Sequence, residues 1–172
     1  MAATFDRPAR TESPTAVADR MNWSALVAFV AVPVAAGALV GLMTDRGPWY
    51  DALDKPALNP PAAVFAPVWT VLYVLIGLAG CVAWQATSGR HRVLAIGLWA
   101  GQLVLNLAWS PLFFGLERAG LALAELIVLD VAIATTVVVF TRSSRLAAAL
   151  LLPYLAWSLF ATYLNAGIVA LN

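Results

Sequence analysis

At 172 residues, with 62% hydrophobic and only 11% charged side chains, the chain falls well short of the roughly one-quarter charged residues of a soluble domain. A formal net charge of +1 excludes the basic stripe that nucleic-acid binding needs. A single cysteine, Cys81, and a single histidine, His91, exclude an internal disulfide and a structural zinc site, which takes several such ligands.

Residues 1–20 are polar, carry charges of both signs and include Pro8 and Pro14. No apolar stretch precedes a small-residue cleavage site, so they are expected to be a disordered tail rather than a secretory signal. Residues 21–172 are expected to form one domain. Five apolar runs lie within it, at residues 23–44, 66–86, 93–114, 119–141 and 146–171. Each approaches the ~20 residues a helix needs to cross a bilayer. None alternates with period two, and backbone in lipid must be hydrogen-bonded within its own segment. The fold class is therefore all-α, an integral membrane bundle of five transmembrane helices. Arg7, Arg10, Arg20, Arg90, Arg92, Arg142 and Arg145 fall on the N-terminal side; only Arg46, Lys55 and Arg118 fall on the other. That asymmetry is expected to put the N-terminus in the cytoplasm and the loop after the first span outside, in a bacterial cell membrane.

Residues 49–73 separate the first two runs and hold Trp49, Tyr50, Asp51, Asp54, Lys55, Asn59, four prolines and Trp69. Connectors between elements are ordinarily short. This one is too long, too aromatic and too stiff for a mere connector, and it reads as a structured loop over a pocket formed by the helices. In the first span, Pro33 removes a backbone donor and is expected to bend the helix. Gly37 and Gly41 form a GxxxG pair that permits close helix approach. A second pair, Gly97 and Gly101 in the third span, is the expected dimer contact.

Polar groups inside a membrane are costly and tend to face a cavity or another helix. In the third span Trp99, Gln102, Asn106 and Trp109 recur at 3, 4 and 3 residues and so share one face. That face is either a polar seam between helices or a wall for a planar, partly polar ligand. In the fourth span Glu125 and Asp130 lie roughly 140° apart around the axis. Asp130 is near mid-membrane, where a carboxylate is expected to be neutralised or hydrogen-bonded. In the fifth, Trp157 lies inside the span rather than at an interface. No Lys or Arg follows Tyr163, so the loose sterol-recognition pattern of an apolar residue, Tyr and a basic residue is not completed.

Four motifs carry a resemblance: WYDALDKP with the Pro60–Pro61 pair, PVWT with Leu72–Tyr73, NLAWSPLFFG, and PYLAWSLFATYLN. In this order they resemble the TspO/MBR family, the tryptophan-rich sensory proteins homologous to the mitochondrial translocator or peripheral benzodiazepine receptor. The resemblance runs from the first span to Asn172. It implies a five-helix bundle, commonly dimeric, whose first loop closes a pocket for porphyrins such as protoporphyrin IX, and in some members for sterols and benzodiazepine-type ligands. Carried over position by position, it implies that Tyr50 and Pro60 contact ligand from the loop and Asn106 from the third span. Trp69 and Trp157 match two tryptophans implicated in light-dependent porphyrin degradation, and Glu125 falls where relatives carry an acid. Trp109, from its place on the third-span face, is added as a binding residue. The chain departs from the pattern at Leu58 and Ala63, where relatives place tryptophan, and Asp130 has no assigned counterpart.

Three functions follow as expectations. The first is a tetrapyrrole-binding sensor or carrier that needs no cofactor and takes porphyrin as its ligand, with the lipid bilayer and a second copy of the chain as partners. The second is an enzyme degrading porphyrin through Trp69 and Trp157. The third is a transporter, against which the absence of an internal repeat counts. Vertebrate-type cholesterol binding is not expected.

Overall fold

The side chain of Asn22 accepts a hydrogen bond from the Ala25 amide at 3.1 Å, satisfying one of the donors that a helix start leaves free, and the first helix begins there. In this computed structural model residues 22–172 are described; the tail expected at residues 1–20 lies outside the described residues. The elements are α1 (Trp23–Met43), a short α2 (Gly47–Ala52), α3 (Ala62–Ala86), α4 (Gly89–Ser110) continued by a π turn (Pro111–Gly115), α5 (Ala119–Thr141) and α6 (Arg145–Leu171). α1, α3, α4 with its π turn, α5 and α6 are each long and apolar enough to cross a membrane. The chain is a five-helix multi-pass membrane bundle.

Two helices start a turn before their apolar runs. Pro61 is extended (φ −55°, ψ 144°), and α3 begins directly after it. α4 begins at Gly89, so Arg90, His91 and Arg92 form its first turn. Hydropathy locates where lipid begins, whereas the helical hydrogen-bond ladder runs on past that point. Arg92 is held there by the Thr87 carbonyl (Nε–O 2.9 Å) and by the Trp84 ring, 4.8 Å from its guanidinium carbon.

α3 packs on α1 and α6, and α5 on α4 and α6. Ile76, Leu129, Ile133, Phe140, Leu151 and Tyr154 form the buried centre. α1 is the least embedded span, with Pro33 its single buried residue. Two features hold it. A Cβ built on Gly77 would lie 2.6 Å from both the Phe29 carbonyl oxygen and the Val30 Cα, so α1 and α3 meet backbone to backbone. Phe29 also reaches over to meet the Trp99 ring edge-on at 5.1 Å.

Of the Gly37–Gly41 pair, only Gly37 meets a neighbouring helix, and it meets a side chain of α3; the backbone approach is made at Gly77. Gly37 gives room to the Tyr73 ring, and Gly41 has nothing within 4 Å of an added Cβ. Gly97 and Gly101 are likewise open, on an exposed face of α4.

The π turn closes with the Leu116 amide bonded to the Pro111 carbonyl at 2.9 Å. Widening the last turn in this way is typical of functional sites in helices. Here it brings Phe113 and Phe114 against Tyr50, at ring distances of 6.2 and 5.3 Å.

Candidate functional site

The loop between α1 and α3 roofs a cavity of about 700 Å³, within the range of small-molecule sites. Three contacts dock the loop. Trp49 meets Phe113 edge-on at 5.4 Å. Pro56 packs on Gly167 of α6, where an added Cβ would come within 2.9 Å of the proline ring. Asn172 clamps Asp54 by accepting from its amide at 3.0 Å and donating to its carbonyl at 3.1 Å. The proline-rich sequence stiffens the loop, and these contacts fix where it lies.

Gly167→Val, whose side chain would occupy the Pro56 seat, is expected to lift the loop without unfolding the bundle. Trypsin should then cut at Arg46 several times faster (on the order of the opening that loss of ~1 kcal/mol allows). An unchanged cleavage rate would show that Pro56 is not what holds the loop down.

Of the residues expected at the site, Tyr50, Pro60, Trp69, Asn106 and Trp109 line the cavity together. Phe65, Trp69 and Tyr73 lie four residues apart along α3 and supply one wall; the Trp69 and Tyr73 rings are 5.4 Å apart. The Tyr73 hydroxyl donates to Asn106 Oδ1 at 2.9 Å, which makes one polar spot on an aromatic surface. Trp109 stacks on Phe113 at 5.0 Å and 22° and donates from Nε1 to Asn165 Oδ1 at 3.2 Å. Asn165, 2% exposed, in turn donates to the Ala119 carbonyl at 2.8 Å. One amide therefore ties α4, α5 and α6 together at the cavity wall.

The polar face of α4 divides in two. Trp99 donates to the Ile76 carbonyl at 2.9 Å, and Gln102 to the Trp99 carbonyl at 2.9 Å; both are buried in the bundle. A turn further on, Asn106 and Trp109 face the cavity. Seam and cavity wall are successive stretches of one helical face.

Glu125 and Trp157 are not among the cavity-lining residues. The lining of α5 is Leu126 and Leu129, and the two Glu125 carboxylate oxygens are buried without a hydrogen-bond partner among the described residues. Asp130, 8% exposed, accepts from the Thr162 hydroxyl at 2.7 Å, the partner that a mid-membrane carboxylate calls for. Trp157 has Phe65 (5.9 Å) and Phe160 (5.5 Å) as ring neighbours, while Trp69 has Tyr73 and Tyr154 (6.4 Å). Trp157 therefore backs the cavity wall through Phe65.

Tyr73, Phe65 and Asn165 were not singled out from the sequence as site residues. A signal existed for each. Phe65 and Tyr73 flank Trp69 at i−4 and i+4, and Asn165 falls in register with Ser158, Ala161 and Ile168 along α6.

Fold and site define a class: a multi-pass α-helical membrane protein with an aromatic, loop-roofed cavity between its helices. Residues 29–171 match the model of the TspO/MBR family, and the chain belongs to that family. It is 40% identical over 151 residues to "Translocator protein" of Sus scrofa, covering 83% of this chain and 87% of that protein. To "Tryptophan-rich protein TspO" of Archaeoglobus fulgidus it is 41% identical over 155 residues, covering 88% and 99%. To "Tryptophan-rich sensory protein" of Cereibacter sphaeroides it is 39% identical over 153 residues, covering 88% and 94%.

Proposed function

We propose that the protein binds a tetrapyrrole of the protoporphyrin IX type in the loop-roofed cavity and acts as a membrane sensor or carrier of it. The observation that carries this reading is the cavity itself. Its walls are large flat rings (Phe65, Trp69, Tyr73, Trp109), its polar groups are few, and its volume suits a ligand larger than a single ring. Aromatic faces stack on a macrocycle, while Asn106 and the loop's polar groups meet its edge. The basic-residue asymmetry supports a bacterial cell membrane with the N-terminus in the cytoplasm. The open Gly97–Gly101 face of α4 supports a homodimer.

Titration of the purified protein with protoporphyrin IX, followed by tryptophan quenching, is the test. Saturable binding is expected, weakened about tenfold or more in Trp69→Leu/Asn106→Leu. Trp157→Phe, one ring removed from the cavity, is expected to weaken it less. Absence of saturable binding, or undiminished binding in the double variant, would overturn the reading. Oxidative degradation of bound porphyrin is the second reading, supported by Trp69 being the tryptophan of the pair that lines the cavity; it requires the Soret band to bleach under light faster in wild type than in Trp69→Phe.

A further inference from the structure

Charge is distributed unevenly over the cavity. Its charged lining residues, Arg46, Asp51 and Lys55, all belong to the loop at its mouth. Below them the lining carries no charge and is mostly aromatic and aliphatic, broken by neutral polar groups such as Asn106 and Asn165, down to Ser158, near the middle of α6. Ser158 and Ile168 both line the cavity, so it reaches about 15 Å along that helix.

The lysine is positioned rather than free. Lys55 Nζ donates to the Leu53 carbonyl at 3.0 Å and to the Asp51 carbonyl at 3.4 Å, and it lies 4.6 Å from the centre of the Tyr50 ring. Two of the three ammonium donors are thereby committed, and the third remains for a ligand. The Arg46 guanidinium offers a planar fork that matches a carboxylate. Asp51 sets its own carboxylate on the same rim, but the balance of the three side chains is one positive charge.

At the opposite end the environment is reversed. Asp130 accepts a hydrogen bond from Thr162, one turn from Ser158 along α6. The Ser158 hydroxyl, 1% exposed, has no hydrogen-bond partner among the described residues. A ligand carboxylate placed at that end would be desolvated near the Asp130 carboxylate. At the mouth it keeps access to water and meets two cations.

Building on the tetrapyrrole reading, we propose that Arg46 and Lys55 determine specificity and orientation: the cavity selects a flat apolar ligand with carboxylates on one edge, held carboxylate-outward against the loop, with the opposite edge directed to the Ser158 hydroxyl.

The test compares protoporphyrin IX with its dimethyl ester, which keeps the macrocycle and loses both charges. Wild type is expected to bind the free acid about tenfold or more tightly than the diester, the scale of a charge-assisted contact. In Arg46→Gln/Lys55→Met the ratio of the two affinities is expected to collapse towards one. Raising the ionic strength should shrink the wild-type ratio as well. Diester binding by the variant serves as the check that it is folded. Equal affinities in wild type, or a ratio that survives in the variant, overturns the proposal while leaving tetrapyrrole binding standing. If neither compound binds wild type, the tetrapyrrole reading fails and this inference fails with it.

Discussion

Gly77→Ala is expected to destabilise the detergent-solubilised protein by about 3 kcal/mol, whereas Gly97→Ala is expected to leave the unfolding midpoint unchanged or slightly raised. The two substitutions add the same methyl group to a glycine inside a helix. At Gly97 none of the described residues lies within 4 Å of the new atom, so the gain in helix propensity is unopposed, and alanine is small enough to keep a close helix pairing possible. At Gly77 the new atom would sit 2.6 Å from the Phe29 carbonyl oxygen and from the Val30 Cα. Both are backbone atoms and cannot rotate away, so α1 must move as a body.

α1 depends on this seam, because it packs chiefly on α3. Pro33 is its one buried residue, and Phe29, the side chain that anchors it against Trp99, belongs to the same turn that would be displaced. Val34, Gly37, Ala38 and Gly41 of α1 also line the cavity. Loss of stability and loss of ligand affinity should therefore appear together in Gly77→Ala. Thermal unfolding in detergent, with a porphyrin titration on the same samples, checks both. A Gly77→Ala protein as stable as Gly97→Ala would show that the α1–α3 approach is looser than described.

The five spans were legible because each obeys a local rule, about 20 apolar residues for one crossing. The loop's structure was legible for a similar reason: prolines and aromatics in residues 49–73 are a local signal of rigidity. Its docking was not. Pro56 rests on Gly167, and Asp54 bonds Asn172, 118 residues away; no local pattern announces such a pair. Periodicity correctly put Trp99, Gln102, Asn106 and Trp109 on one face of α4. Which half of it meets the cavity depends on where α1 and α3 stand. The GxxxG pattern pointed to Gly37, yet backbone contact is made at Gly77, because spacing within one helix does not say which glycine the neighbouring helix crosses. Trp157 shows the same limit: its mid-span position follows from the sequence, but the direction it faces is set by Phe65 and Phe160.

Asn165→Leu is expected to lower both stability and ligand affinity, by separate routes. The Asn165 side chain accepts from Trp109 Nε1 and donates to the Ala119 carbonyl. Leucine keeps the branched heavy-atom skeleton and is the bulkier of the two, so no cavity is left; what is lost is the pairing of a buried indole N–H and one bond to a backbone carbonyl. In soluble cores an orphaned donor costs about 1–3 kcal/mol. Within membranes such bonds average nearer ~0.6 kcal/mol, because the unfolded reference also finds partners. A stability loss of about 1–2 kcal/mol is the expected compromise.

The affinity effect has a separate origin. Trp109 lines the cavity stacked on Phe113, and its hydrogen bond to Asn165 fixes the orientation of that ring. Released, the indole can turn, and a flat ligand loses a preformed wall; ordering it again on binding costs about 0.5–1.5 kcal/mol for such a side chain. Trp109→Phe separates the contributions, since it keeps an aromatic ring on Phe113 and removes the N–H. If the bond between the two residues carries the effect, Asn165→Leu and Trp109→Phe will be non-additive in a double-mutant cycle read by porphyrin affinity. Additive losses would mean that each residue acts on the ligand independently and that the Trp109–Asn165 bond does not set the shape of the wall.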